Sequence, residues 1–206
     1  NLRLRAVDDS VVKALAPAPP LRGWSSPLWS TAGAAPAKAG SDQPHARAAA
    51  FSPAFSLPDA GPSLRLDWRA SERGQSADFE WTLPVDLRGA RALQVDAYNP
   101  GREPVDLELA VQAGSGMDWM ESRVLRLAPG WNHGLELPLE GPVFKHAATQ
   151  WAYGASLPGR GPDTLRRAYW HIATPGPGDG SIYLAKVSVL RRSAIPGSEV
   201  PLAVEG

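Results

Sequence analysis

The chain has 206 residues, 43% of them hydrophobic, enough to build one sizeable domain. Its 21 basic and 21 acidic residues cancel, which speaks against nucleic acid as the partner, because phosphate binding needs a positive surface. Cysteine is absent, so disulfides, thiolate metal sites and cysteine nucleophiles are excluded, and no stretch approaches the roughly 18 consecutive apolar residues of a membrane helix, so no membrane span is expected.

Taken in chain order, residues 1–63 carry little periodicity. VVKALAP runs into the cluster PAPP, and a stretch rich in Pro, Ala, Gly and Ser follows. Trp24, Trp29, Phe51 and Phe55 are costly to leave in water, so this segment is expected to wrap irregularly onto the same domain. From residue 64 the pattern changes to period two, and 64–206 is expected to form the body. SLRLDWR sets Leu64, Leu66 and Trp68 against Arg65, Asp67 and Arg69. ADFEWTLPVDL sets Phe79, Trp81 and Leu83 against Asp78, Glu80 and Thr82. Residues 91–114 read as two strands joined by the polar turn NPGREP. Leu93, Val95 and Ala97 face the core on the first, and Val105, Leu107, Leu109 and Val111 on the second. Leu125 and Leu127, then Leu135, Leu137 and Leu139, flank a Pro-Gly turn. LRRAYWHIAT sets Ala168, Trp170 and Ile172 against Arg167, Tyr169 and His171, and GSIYLAKVSVL closes the set.

Strict alternation punctuated by Pro-Gly turns predicts an all-β fold, an antiparallel jelly-roll β-sandwich with an irregular N-terminal segment. Residues 141–163 depart from the alternation and read as a long loop with a short helical turn around His146 to Trp151. Residue 1 is Asn rather than Met, which reads as a processed or trimmed chain from which any signal peptide has gone, and the protein is expected to be extracellular or periplasmic.

Several of these segments carry a family likeness: SLRLDW, LPVDLRGARALQVDAYNP, VDLELAVQ, LAPGWNHGLELPL, LRRAYWHI and GSIYLAKVSVL. Over about residues 64–190 the chain resembles the galactose-binding-like jelly rolls that serve as carbohydrate-binding modules, of the family-11-like kind appended to bacterial β-glucanases. The run from Asp86 to Pro100 and the Pro-Gly-Trp-Asn turn at 129–132 are its most specific parts. The resemblance implies a non-catalytic domain of an exported glycan-processing or glycan-assembly system, with a polysaccharide or oligosaccharide as partner. Other domains of a larger protein are a further partner class. The family pattern often ends in a Tyr–hydrophobic–Asp–Asn strand whose Asp helps hold a structural calcium. Here that run is Tyr183, Leu184, Ala185 and Lys186, so only Asp8 and Asp9 are left to contribute, calcium is disfavoured and no cofactor is expected.

Sugar recognition needs flat apolar faces and planar polar groups. The outward residues Gln94, Asp96, Tyr98, Glu108, Gln112, Arg167, Tyr169 and His171 have those types and are expected to converge on one concave sheet face. Trp119 and Trp151, read as loop residues, are further candidate platforms. Trp68, Trp81 and Trp170 are in phase with the core, and Trp131 reads as a turn anchor packed on the sandwich. Two other classes stay open. Asp96 and Glu108 could be the carboxylate pair of a glycoside hydrolase, or Arg167, Tyr169 and His171 the trio of a polysaccharide lyase. Alternatively, Trp24, Trp29 and the long loop could serve a structural interaction domain. His45, His133 and His146 have no metal-ligand spacing, and neither a G-x-S-x-G elbow nor a phosphate loop occurs.

Overall fold

The computed structural model describes the backbone of residues 9–14, 37–39 and 45–192, less 59, 82–86 and 162, with side chains over the 45–190 part of that range. Asp8, Trp24, Trp29, Thr82 and Leu83 therefore lie outside the described residues. The strands are β1 (Asp9–Ala14), β2 (Ala37–Ala39), β3 (Ala46–Leu57), β4 (Gly61–Ala70), β5 (Ser76–Trp81), β6 (Ala90–Asn99) and β7 (Val105–Ala113). They continue as β8 (Asp118–Glu121), β9 (Leu125–Leu127), β10 (Gly130–Pro138), β11 (Lys145–His146), β12 (Leu165–Ala173) and β13 (Gly178–Arg192). They form two antiparallel sheets. The first runs β10–β6–β13–β4–β3, with β1 also on β13; the second runs β11–β8–β7–β12–β5–β2, with β9 also on β7. No helix among the described residues is long and apolar enough to cross a membrane.

The period-two pattern explains the sandwich. Leu64, Leu66, Leu93, Val95, Ile182 and Leu184 of the first sheet are at most 1% exposed, as are Phe79, Leu107, Leu109, Val111, Trp170 and Ile172 of the second. Both sets belong to one continuous core. Each such side chain contributes roughly 1.5–3 kcal/mol by leaving water. Within the segment expected to wrap irregularly, Ala46–Leu57 forms a strand on β4, and β4 itself begins at Gly61. Its Ala- and Ser-rich sequence hides the strand, because an edge strand buries few side chains and needs little alternation.

The two strands expected over residues 91–114 both form, but they do not pair with each other. β6 lies in the first sheet and β7 in the second, so the turn between them carries the chain across the sandwich. Asn99 holds that crossover. Its side chain donates to the carbonyls of Glu103 (2.9 Å) and Leu127 (3.1 Å) and accepts from the Gly101 N–H (2.9 Å), while only 1% exposed. Asn132 does the same for the Pro-Gly turn. It accepts from the Ala128 N–H (2.9 Å) and donates to the carbonyls of Ala128 (2.8 Å) and Gly130 (3.0 Å), where Gly130 adopts φ 86°. The two most specific stretches of the family likeness thus each carry an asparagine that locks a turn. Asn99→Ala leaves the buried Leu127 carbonyl and the part-buried Glu103 carbonyl and Gly101 N–H without this partner and is expected to cost about 1–3 kcal/mol, read as a lower urea midpoint. A loss under about 0.5 kcal/mol, the range of ordinary surface changes, would show that the crossover holds itself.

β13 carries a bulge between Leu184 and Lys186, which pair with Ala97 and Asp96. Ala185 is the extra residue and is fully buried. A carboxylate there would be buried as well, which fits the departure from the family pattern. Residues 141–163 hold β11, a single 3-10 turn at Ala147–Thr149, and a bridge from the fully buried Phe144 to Ala155 that ties the loop to the core.

Candidate functional site

The outer face of the second sheet is assembled by register. One row across it runs Trp119, Gln112, Arg167 on β8, β7 and β12. The next runs Lys145, Glu121, Ala110, Tyr169, Glu80 on β11, β8, β7, β12 and β5. The third runs Glu108, His171, Asp78 on β7, β12 and β5. Ala110 leaves room at the centre, and Trp119 fills it. Its ring lies 4.9 Å from Tyr169 and 6.2 Å from His171, and its indole N–H donates to Glu121 Oε1 (2.8 Å).

This layer is polar yet well buried. Asp78, Glu108, Tyr169, Glu121 and His171 are 2–9% exposed, although they point away from the core. Burial of charge requires pairing. Lys145 Nζ supplies it, 3.3 Å from Glu108 and 3.0 Å from Glu121. His171 Nδ1 sits 2.6 Å from Asp78 Oδ1. Burial pulls the His171 pKa down, but the hydrogen bond and charge of Asp78, helped by Glu121 and Glu108, outweigh it, and the net direction is up. Burial raises the Glu108 carboxyl above the usual range, only partly offset by Lys145. Burial also pushes Glu121 up, but the hydrogen bonds from Trp119 and Lys145 more than reverse it, and its pKa falls. The two carboxylates share one lysine but differ in their other bonds: Glu121 also accepts from Trp119, whereas Glu108 Oε2 has no partner.

More open groups border the layer. Arg167 is exposed and lies 3.7 Å from Glu80, and Tyr169 Oη is 3.4 Å from the Gln112 amide oxygen. Trp151 is 51% exposed on the loop after β11, where it adopts φ 61°. No ring contact joins it to the layer among the described residues. Tyr153 lies nearer, with Arg123 and Lys145 over its ring at 5.0 and 5.7 Å.

The expectation of one converging face is corrected here. Glu108, Gln112, Trp119, Arg167, Tyr169 and His171 share the outer face of the second sheet, but Gln94, Asp96 and Tyr98 stand on β6, outside the first sheet. The sandwich core separates the two sets. Asp96 and Glu108 therefore cannot flank one scissile bond. Tyr98 is also covered, because Phe55 stacks on it at 3.7 Å. Trp119 belongs to a strand rather than a loop. Trp131 packs edge-on against Tyr98 of the first sheet at 5.3 Å, as a turn anchor would, yet stays 41% exposed. Arg167, Tyr169 and His171 do share one face of β12, but burial raises the Tyr169 pKa, the wrong direction for a base. Among the described residues no group of three or more His, Cys, Asp or Glu is placed to hold a metal ion.

Sequence reasoning passed over Lys145 and Glu121. Glu121 had a signal, since it lies two residues past Trp119 and so on the same strand face. Lys145 had none, being a lone lysine in a segment without periodicity.

No family model matches the chain, and no curated protein matches it. Solved structures do. The family 11 carbohydrate-binding module of a cellulosomal cellulase of Clostridium thermocellum is 10% identical, with a TM-score of 0.50 over 90% of this chain and 96% of that one. The solution structure of CtCBM11 is 9% identical, with a TM-score of 0.52 over the same shares of 90% and 96%. An exo-β-agarase is 11% identical, with a TM-score of 0.50 over 77% of this chain but 23% of that one. The likeness is one of fold. The two module structures match along nearly their whole length, whereas in the agarase the match is a minor part of a longer chain. The remote resemblance to carbohydrate-binding modules read from the sequence therefore extends to the arrangement of both sheets.

Proposed function

We propose that the outer face of the second sheet binds a polysaccharide without transforming it, as a module of an exported bacterial glycan-processing or glycan-assembly system working outside the cytoplasm. One observation carries this reading: three neighbouring strands present Trp119, Gln112, Arg167, Tyr169, Glu108 and His171 on a single face. Trp119 offers a flat apolar ring for the C–H side of a sugar, and Gln112, Arg167 and Glu80 offer planar donors and acceptors for its hydroxyls. The buried layer of Glu108, Glu121, Lys145, His171 and Asp78 holds Trp119 and Tyr169 in place before a ligand arrives, which lowers the ordering cost of binding. Two structures of like fold carry the family 11 carbohydrate-binding module by name, which agrees with this reading.

Affinity electrophoresis against β-glucans, agarose, mannan, cellulose and a polyuronate tests it. Wild type is expected to be retarded by at least one gel, and Trp119→Ala and Arg167→Ala each to weaken that binding by about tenfold or more, near 1.4 kcal/mol. Arg167 is exposed, so its variant should keep the wild-type melting temperature, which separates lost binding from lost folding. Binding to none of the polymers, or wild-type retardation of both variants, would overturn the reading.

A further inference from the structure

A second aromatic surface lies on the opposite side of the sandwich. Across the first sheet the register sets Trp131, Tyr98, Tyr183 and Arg65 in one row on β10, β6, β13 and β4. Phe55 reaches over this row from β3. Its ring stacks on Tyr98 at 3.7 Å and 11°, and its edge meets Tyr183 at 4.8 Å. To aim it there, Phe55 takes φ 55°, a left-handed conformation that costs a non-glycine residue about 1–3 kcal/mol. Trp131 packs edge-on against Tyr98 at 5.3 Å and lies parallel to His133, 5.1 Å away and within 9°. A Trp ring 41% exposed, pinned flat beside a second flat ring, is a platform rather than part of the core.

The surroundings indicate what it takes. Among the described residues, opposite charges are interspersed on this face: Arg65 pairs with Asp67 (2.7 Å), Arg91 with Glu136 (3.0 Å), and Asp96, which lies 3.3 Å from His133 Nδ1, has Lys186 opposite it in the register. Asp96 Oδ1 also accepts the Gly134 N–H at 2.8 Å, which fixes the β10 backbone next to Trp131. Arg65, Arg91 and Lys186 offset Asp67, Glu136 and Asp96, so no single sign of charge dominates the face and a neutral ligand matches it. Protein interfaces deplete charge at their centres, whereas here paired charges interrupt the aromatic strip on both sides. Flat apolar rings interleaved with hydrogen-bonding groups match a sugar chain, which alternates C–H faces with hydroxyls.

We propose that Trp131, His133 and Phe55, seated on Tyr98 and with Asp96 beside them, form a second site for a neutral glycan chain, so that one domain bridges two chains. The bridging rests on the reading of the second sheet given above; the site on the first sheet does not. Titration calorimetry with neutral cello-, laminari-, agaro- and manno-oligosaccharides is expected to give about two ligands per domain, and about one in either Trp131→Ala or Trp119→Ala. The double variant should bind none. With the matching long polysaccharide, wild type should raise turbidity through cross-linking and both single variants should not. Trp131→Ala should melt as wild type does, since the ring is exposed, and Trp131→Phe should restore part of the binding. If Trp131→Ala binds and cross-links as wild type, or no oligosaccharide binds wild type, the proposal is overturned. If Trp119→Ala changes nothing while Trp131→Ala abolishes binding, the second-sheet reading falls and the first-sheet site stands alone.

Discussion

Lys145→Met is expected to cost the domain roughly 3–5 kcal/mol at neutral pH, the range seen when one partner of a buried ion pair is removed. Lys145 is the cation within salt-bridge distance of both Glu108 and Glu121, whose side chains are 6% and 12% exposed. The loss should depend on pH with a definite sign. Glu108 already has a folded pKa above its unfolded value, and losing Lys145 raises it further. Such a group favours the folded state below the unfolded carboxyl pKa, and this contribution is lost as pH rises through the folded pKa. Glu121 in the wild type runs the other way, since its folded pKa is lowered and its contribution fades as pH falls. In the variant Glu121 loses the hydrogen bond and charge of Lys145, so its pKa rises too and less of its stabilising contribution is left at neutral pH. Urea melts at about pH 7 and about pH 5 should show the deficit shrinking at the lower value. Converting Glu108 and Glu121 to Gln in the same background should recover most of it, because a neutral amide costs less to bury than an unpaired charge. A deficit that is small, or equal at both pH values, would show that water already reaches these carboxylates.

Trp170→Ala is the second large effect, expected at about 3–5 kcal/mol from lost burial and the cavity left behind. Trp170 is fully buried, with its ring 5.5 Å from that of Trp81. Against a total stability of about 5–15 kcal/mol for a domain, that loss leaves much of the population unfolded on modest heating. The effect should reach the candidate site too, because Trp170 stands between Tyr169 and His171 on β12. Calorimetry of the variant should show a lowered and broadened transition, and Trp170→Phe a smaller loss. A change under about 1 kcal/mol would mean that the two sheets do not close on this ring.

The inward residues were legible because period two decides which side of a strand faces apolar surroundings. Leu64, Leu66, Trp68, Leu93, Val95, Leu107, Leu109, Trp170 and Ile172 are all buried as the alternation implies. The same period says nothing of which sheet a strand joins. Tyr98 and Tyr169 look equivalent in sequence, both polar-face aromatics on alternating strands, yet they sit on opposite sides of the molecule. The crossover at Asn99 decides that, and its cue is a buried hydrogen-bond set invisible in a string of letters. Polarity was also a poor guide to exposure. Asp78, Glu108 and His171 read as solvent-facing but are held dry by one another and by Lys145 and Trp119. Phe55 was expected to lie on the domain and does, but where its ring lands depends on its own left-handed conformation near the tip of an edge strand, which the letters do not show.

β13 spans 15 residues, and along its length it pairs with β4, β6 and β1, all far earlier in the chain. The strand at the middle of the first sheet is therefore the last of the described strands to be synthesised. Until it arrives, β4 and β6 each present an open hydrogen-bonding edge that later becomes interior. Contacts of such long sequence separation place the domain among the slow folders, milliseconds to seconds rather than microseconds. The nascent protein thus passes through a stage with two unpaired edges and a half-covered apolar face, its period of greatest exposure to aggregation and to chaperone binding.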